Sequence, residues 1–144
     1  MEKLGLVFLA IFAGFSNAFQ APVNAALGRF VGVVESSCIS FSVGALALLV
    51  VSLVAGKGSF LKIAGAPPHL WIGGFLGAFF VTVALFVVPK IGAAVMIASV
   101  ITGQMAAALI IDQFGVLGIP KNPVDLYRIG GLAFLAFGIK LLSK

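Results

Sequence analysis

Residues 4–27 include no charged side chain. A run of that length covers the roughly 20 apolar residues an α-helix needs to cross a hydrocarbon core, and it narrows the possible folds more than any other feature of the chain. Three similar runs follow, at 36–55, 70–88 and 91–111, bounded by Gly56-Lys57-Gly58, by Pro67-Pro68 and Pro89-Lys90, and by Asp112. A fifth and shorter run, about 126–142, keeps Arg128 and Lys140 near its ends, where long side chains snorkel to the headgroups. The chain therefore reads as all-α and integral to a membrane. Five transmembrane helices are expected, spanning about 4–28, 35–55, 70–88, 91–111 and 126–142 of a single transmembrane domain, 1–144. At 62% hydrophobic and 9% charged, the 144 residues lack the polar surface to cover a water-soluble globule.

Other classes fall by inventory. Cys38 is the one cysteine and His69 the one histidine, which leaves no intrachain disulfide and no ligand set for zinc or haem. No cofactor and no metal are expected. The nine Lys and Arg are scattered singly, so neither a nucleic-acid arm nor a polybasic lipid patch is present. No nucleophile has a base at helpful spacing, and no glycine-rich phosphate loop follows a strand, so no enzyme is expected. A cleaved leader would use Ser16-Asn17-Ala18 as its cut, but the apolar run continues past that point.

Turn residues set the connections. Pro89-Lys90-Ile91-Gly92 is so short that the third and fourth helices are expected to be antiparallel neighbours. Asp125 is placed to cap the last helix, and Asp112 to pair with a loop base such as Lys121. Residues 56–66, where Phe60, Leu61 and Ile63 mix with Lys57 and Lys62, suggest a short interfacial segment. With five spans, Lys3, Lys57, Lys62, Lys121 and Arg128 face one side, and Arg29, Lys90, Lys140 and Lys144 the other. Five against four is almost no positive-inside bias. Two oppositely inserted copies of such a chain would pair as an inverted repeat, with the solute path between them. One fixed orientation, set by folding or lipid, is the competing reading. Small residues for close helix contact are Gly73 and Gly77 in the third span and Gly131 and Gly138 in the last.

The residues that break the apolar pattern are the informative ones, because buried polar groups in lipid are expensive. Asn17, Gln20 and Asn24 recur at i, i+3 and i+7 and share one helical face beside Pro22. Amides donate and accept, so this stripe suits either a polar solute or interhelical hydrogen bonds. Glu35 opens the second span, with Ser36 and Ser40 behind it. Facing a cavity it would couple protons or bind cations; at a helix start it also simply favours the positive dipole end. Gln104, next to Gly103 in the fourth span, serves equally as a clasp or a cavity group. Phe12, Phe15, Phe19, Phe79, Phe80 and Phe86 are expected to face lipid. The candidate solute-binding set is thus Asn17, Gln20, Asn24, Glu35, Ser36, Ser40 and Gln104.

Several of these residues fall in stretches that resemble one family. Residues 19–29, with Gln20, Asn24, Leu27, Gly28 and Arg29, are similar to the Q-x-x-x-N-x-x-L-G-R stretch of the YdcZ-like family. This is the small five-helix bacterial and archaeal branch of the drug/metabolite transporter superfamily. Ser40-Phe41-Ser42-Val43-Gly44, Pro89-Lys90-Ile91-Gly92-Ala93-Ala94, Thr102-Gly103-Gln104 and Asp112-Gln113-Phe114-Gly115 extend the resemblance almost end to end. The resemblance implies an inner-membrane transporter of small solutes that functions as two chains, by analogy with the antiparallel dimers of the small multidrug resistance exporters. Those exporters carry an essential carboxylate in mid-first-helix. This chain has Asn17 and Gln20 there and no acid, so proton exchange by the same group is not expected, and Glu35 substitutes only if it folds inward. A passive channel and an accessory subunit of a larger complex are the alternatives.

Overall fold

A computed structural model describes residues 2–144. Five α-helices account for most of them: α1 Glu2–Val31, α2 Val33–Ala55, α3 Ile72–Ile91, α4 Ala93–Phe114 and α5 Leu126–Leu142. Short 3-10 turns occupy Phe60–Gly65, Pro68–Trp71 and Val116–Gly118, and no strand occurs among the described residues. At 1.5 Å per residue the 30 residues of α1 span about 45 Å, more than the ~30 Å hydrocarbon core. Four helices, counting Pro68–Trp71 onto α3, are long and apolar enough to cross a membrane. The 17 residues of α5 span only about 26 Å, near the lower limit for a crossing.

Large apolar side chains point outward. Phe8, Phe12 and Phe15 are each more than 60% exposed, an arrangement that water would punish and lipid accepts. Of the six phenylalanines expected at lipid, only Phe80 is half-buried. The chain packs as two compact units, one ending at Lys90 and the other starting at Ile91.

In the first unit, α1 passes straight through Pro22, whose missing N–H deprives the Ala18 carbonyl of its helical donor. Gly32 alone joins α1 to α2, at φ 100 and ψ 155, a region open in practice only to glycine. The chain folds back on itself there. Gly28, four residues before the joint, lies against Ser36, four after it. On α3, Val81, Ala84, Leu85 and Val88 make one buried stripe at helical spacing.

The boundary expected at Pro89-Lys90 lies a little farther on. The helix continues to Ile91, and the break is the single residue Gly92, at φ 81 and ψ 160. Conformation decides this. A proline in the last turn forfeits one hydrogen bond, whereas a backbone at such a positive φ ends the helix outright. Lys90 lays its ammonium over the Phe86 ring, 3.3 Å from the centroid.

In the second unit, α4 ends on the left-handed Gly115 (φ 63, ψ 39), and the following loop is tied back to the helix. The Asn122 N–H donates to the Asp112 carbonyl at 2.8 Å, and the Val124 N–H donates to Gln113 Oε1 at 2.7 Å. Asp125 caps α5, accepting from the Arg128 N–H at 2.8 Å, as its sequence position suggests.

Candidate functional site

The polar residues near the Gly32 joint form one connected cluster. Asn24, eight residues before the glycine, donates from Nδ2 to the hydroxyl of Ser40, eight residues after it, at 2.9 Å. The Ser36 hydroxyl donates to the Asn24 carbonyl at 2.7 Å. Asn24 is 6% exposed and Ser36 fully buried, so the Ser36 bond lies inside the α1–α2 contact and the bond to the half-buried Ser40 at its edge. In an apolar surround such bonds clasp two helices, because breaking them strands a polar group.

The rest of the amide stripe is open. Asn17 and Gln20 are exposed, and neither has a hydrogen-bond partner among the described residues. The position of the burial explains this. Within α1 and α2, the buried residues are Ala21, Asn24, Ser36 and Ser37, all near the joint, and Gln20 and Asn17 lie just where that contact gives out. The same helical face is thus a sealed clasp at one end and bare amide at the other.

Glu35 is exposed in the first turn of α2, where a carboxylate offsets the positive end of the helix dipole. It lies over Gly32 so closely that a Cβ added to the glycine would collide with the carboxylate. The structure brings Asn24, Ser36 and Ser40 together and leaves Glu35 outside their hydrogen bonds. Gln104 is exposed on α4 in the second unit. Of the four packing glycines, Gly77 alone meets a close neighbour: a Cβ there would lie 3.2 Å from the Phe41 ring. Added Cβ atoms at Gly73, Gly131 and Gly138 meet open space within the chain.

Two features escaped the sequence reading. One is a groove of about 530 Å³ between α2 and α3, lined by Ser37, Cys38, Phe41, Ser42, Ala78 and Thr82 among others. Its hydroxyls donate to their own helices: Ser37 to the Val33 carbonyl, Ser42 to that of Cys38 and Thr82 to that of Ala78. Hydroxyls spent this way remain acceptors and offer little alternation of apolar and polar residues for a sequence to reveal. The other is the Arg128–Asp112 ion pair, 3.0 Å, which replaces the expected pairing of Asp112 with Lys121. The geometry favours the arginine. Capping by Asp125 fixes the first turn of α5 and aims Arg128 at the end of α4.

Compared with known proteins, a family model described as "Putative inner membrane exporter, YdcZ" matches residues 5–141. No curated protein and no solved structure matches the chain.

Proposed function

Because the chain belongs to the YdcZ family of inner-membrane exporters, and is a multi-pass protein of that membrane, we propose that it exports small solutes by alternating access as a homodimer of oppositely inserted copies. All five helices cross the bilayer in this reading, and each chain supplies half of the path. The observation that carries it is the pair of bare amides, Asn17 and Gln20, within the uncharged 4–27 stretch of α1. A lone amide facing acyl chains is expensive, so these two need a polar surface opposite them. A second copy and a solvated cavity between the copies provide one.

Asn24, Ser36 and Ser40 lie beneath that cavity, where their clasp holds α1 against α2. Rocking of the two copies about the amide stripe exposes it to either side in turn. With no acid within the first span, amide and hydroxyl groups select the solute by hydrogen bonding rather than by charge.

Cross-linking tests the arrangement without knowledge of the solute. In a Cys38→Ser background, Gln20→Cys is expected to form an oxidant-dependent dimer in native membranes, whereas Phe12→Cys, farther out on α1, is not. Failure of Gln20→Cys to cross-link, with the protein folded and in the membrane, would remove the cavity. Once a transported solute is found by screening cells for reduced accumulation, Gln20→Ala is expected to abolish efflux while the dimer persists.

A further inference from the structure

The Asp112–Arg128 pair stands at the head of a groove between α4 and α5, inside the second unit, with a volume of about 280 Å³. Below the charges the walls are apolar: Met105, Ala108 and Leu109 on α4, Leu132 and Leu135 on α5. Gly131 leaves the floor open, since a Cβ there meets nothing within 4 Å. Met105 is seven residues from Asp112, and Leu135 seven from Arg128. At 1.5 Å per residue both walls run about 10 Å from the charges along their helices, a good part of one leaflet's hydrocarbon.

The pair retains bonding capacity. Each side chain is about 30% exposed. Arg128 Nη1 serves Asp112 Oδ2, with a long second contact of 3.4 Å to the Asn122 carbonyl. Among the described residues nothing else bonds Arg128 Nη2 or Nε, or Asp112 Oδ1. A guanidinium suits a phosphate, and a carboxylate beside it suits a primary ammonium.

The geometry points to a bound phospholipid with an ethanolamine head: phosphate on Arg128, ammonium on Asp112, and one acyl chain lying down the groove. The charges sit at the C-terminal end of α4 and the N-terminal turn of α5, where membrane-crossing helices meet the headgroups. The apolar wall leads away from them toward the hydrocarbon. A choline head carries a positive charge but no N–H to donate to Asp112. A glycerol head leaves the lipid anionic and unfavourable beside the carboxylate. The site needs only that α4 and α5 lie in lipid, and it does not rest on the amide stripe.

Native mass spectrometry tests it. The protein is delipidated and offered equal amounts of ethanolamine-, choline- and glycerol-headed lipids with identical chains. Several-fold greater retention of the ethanolamine lipid is expected. Asp112→Asn should level that preference, whereas Arg128→Gln, which removes the phosphate contact common to the three, and Gly131→Leu, which leaves the charges intact, should each lower retention of all three lipids. Equal retention by the unmodified protein would overturn the proposal, as would a preference that survives Asp112→Asn. Equal thermal stabilisation by soluble phosphoethanolamine would mean a soluble zwitterion, not a lipid, is the ligand. Circular dichroism on each variant separates lost binding from lost fold, and Gly131→Leu decides the case should a charge variant unfold.

Discussion

Gly28 and Gly32 sit one helical turn apart at the end of α1, yet they respond differently to a methyl group. At Gly28 an added Cβ would lie 3.7 Å from the Ser36 Cβ, an ordinary contact. Gly28→Ala is therefore expected to be neutral, or to stabilise by up to about 1 kcal/mol through helix propensity. At Gly32 the φ of 100 disfavours any side chain, and the Glu35 carboxylate fills the space. Gly32→Ala should cost about 1–3 kcal/mol, and removing the carboxylate as well, in Gly32→Ala/Glu35→Ala, should restore only part of that because the backbone strain remains. Reversible unfolding in mixed micelles measures both. The sequence displays each glycine as one more small residue in an apolar run. Which of them carries the joint is decided by backbone conformation, and composition carries no trace of it.

Between elements, the clasp of α1 on α2 rests on few atoms. Asn24→Ala and Ser40→Ala remove the two ends of one 2.9 Å hydrogen bond, and each should lower stability by about 1 kcal/mol. A double-mutant cycle is expected to give a coupling energy near 0.6 kcal/mol, and strict additivity would show that the bond contributes nothing. Much at this scale was readable beforehand. Uncharged runs locate the helices to within a few residues, and the Asp125 cap follows from its position before an apolar segment. The division of the amide stripe was not readable. Asn17, Gln20 and Asn24 share a face by spacing, but only the fold-back at Gly32 determines which of them meets α2. The partner of Asp112 was hidden for a similar reason: Lys121 and Arg128 are equally good bases in a string of letters, and the capped turn of α5 selects the arginine.

At the scale of the whole chain, the proposal makes two claims that can be tested, that α5 crosses the membrane and that the chain inserts both ways. Four helices are plainly long enough to cross, and α5 is marginal at 17 residues. Parity settles the count. In a Cys38→Ser background with Lys3→Cys and Ser143→Cys, a membrane-impermeant thiol reagent on sealed cells should label one terminus per molecule if there are five spans. With four spans it would label both termini or neither. The near-equal basic counts further lead us to expect that each terminus is labelled in part of the population. Labelling of a single terminus throughout would mean one fixed orientation and would exclude the oppositely inserted pair.

The one-residue joint at Gly32 also bears on how the protein is made. A hairpin with so short an apex presents no loop for the insertion machinery to hold on one side while it sorts the next helix. The first two helices are therefore expected to enter the lipid as one wedge, oriented in a single event. Beside the apex the only basic side chain is Arg29, three residues before it, so that event has little charge to steer it.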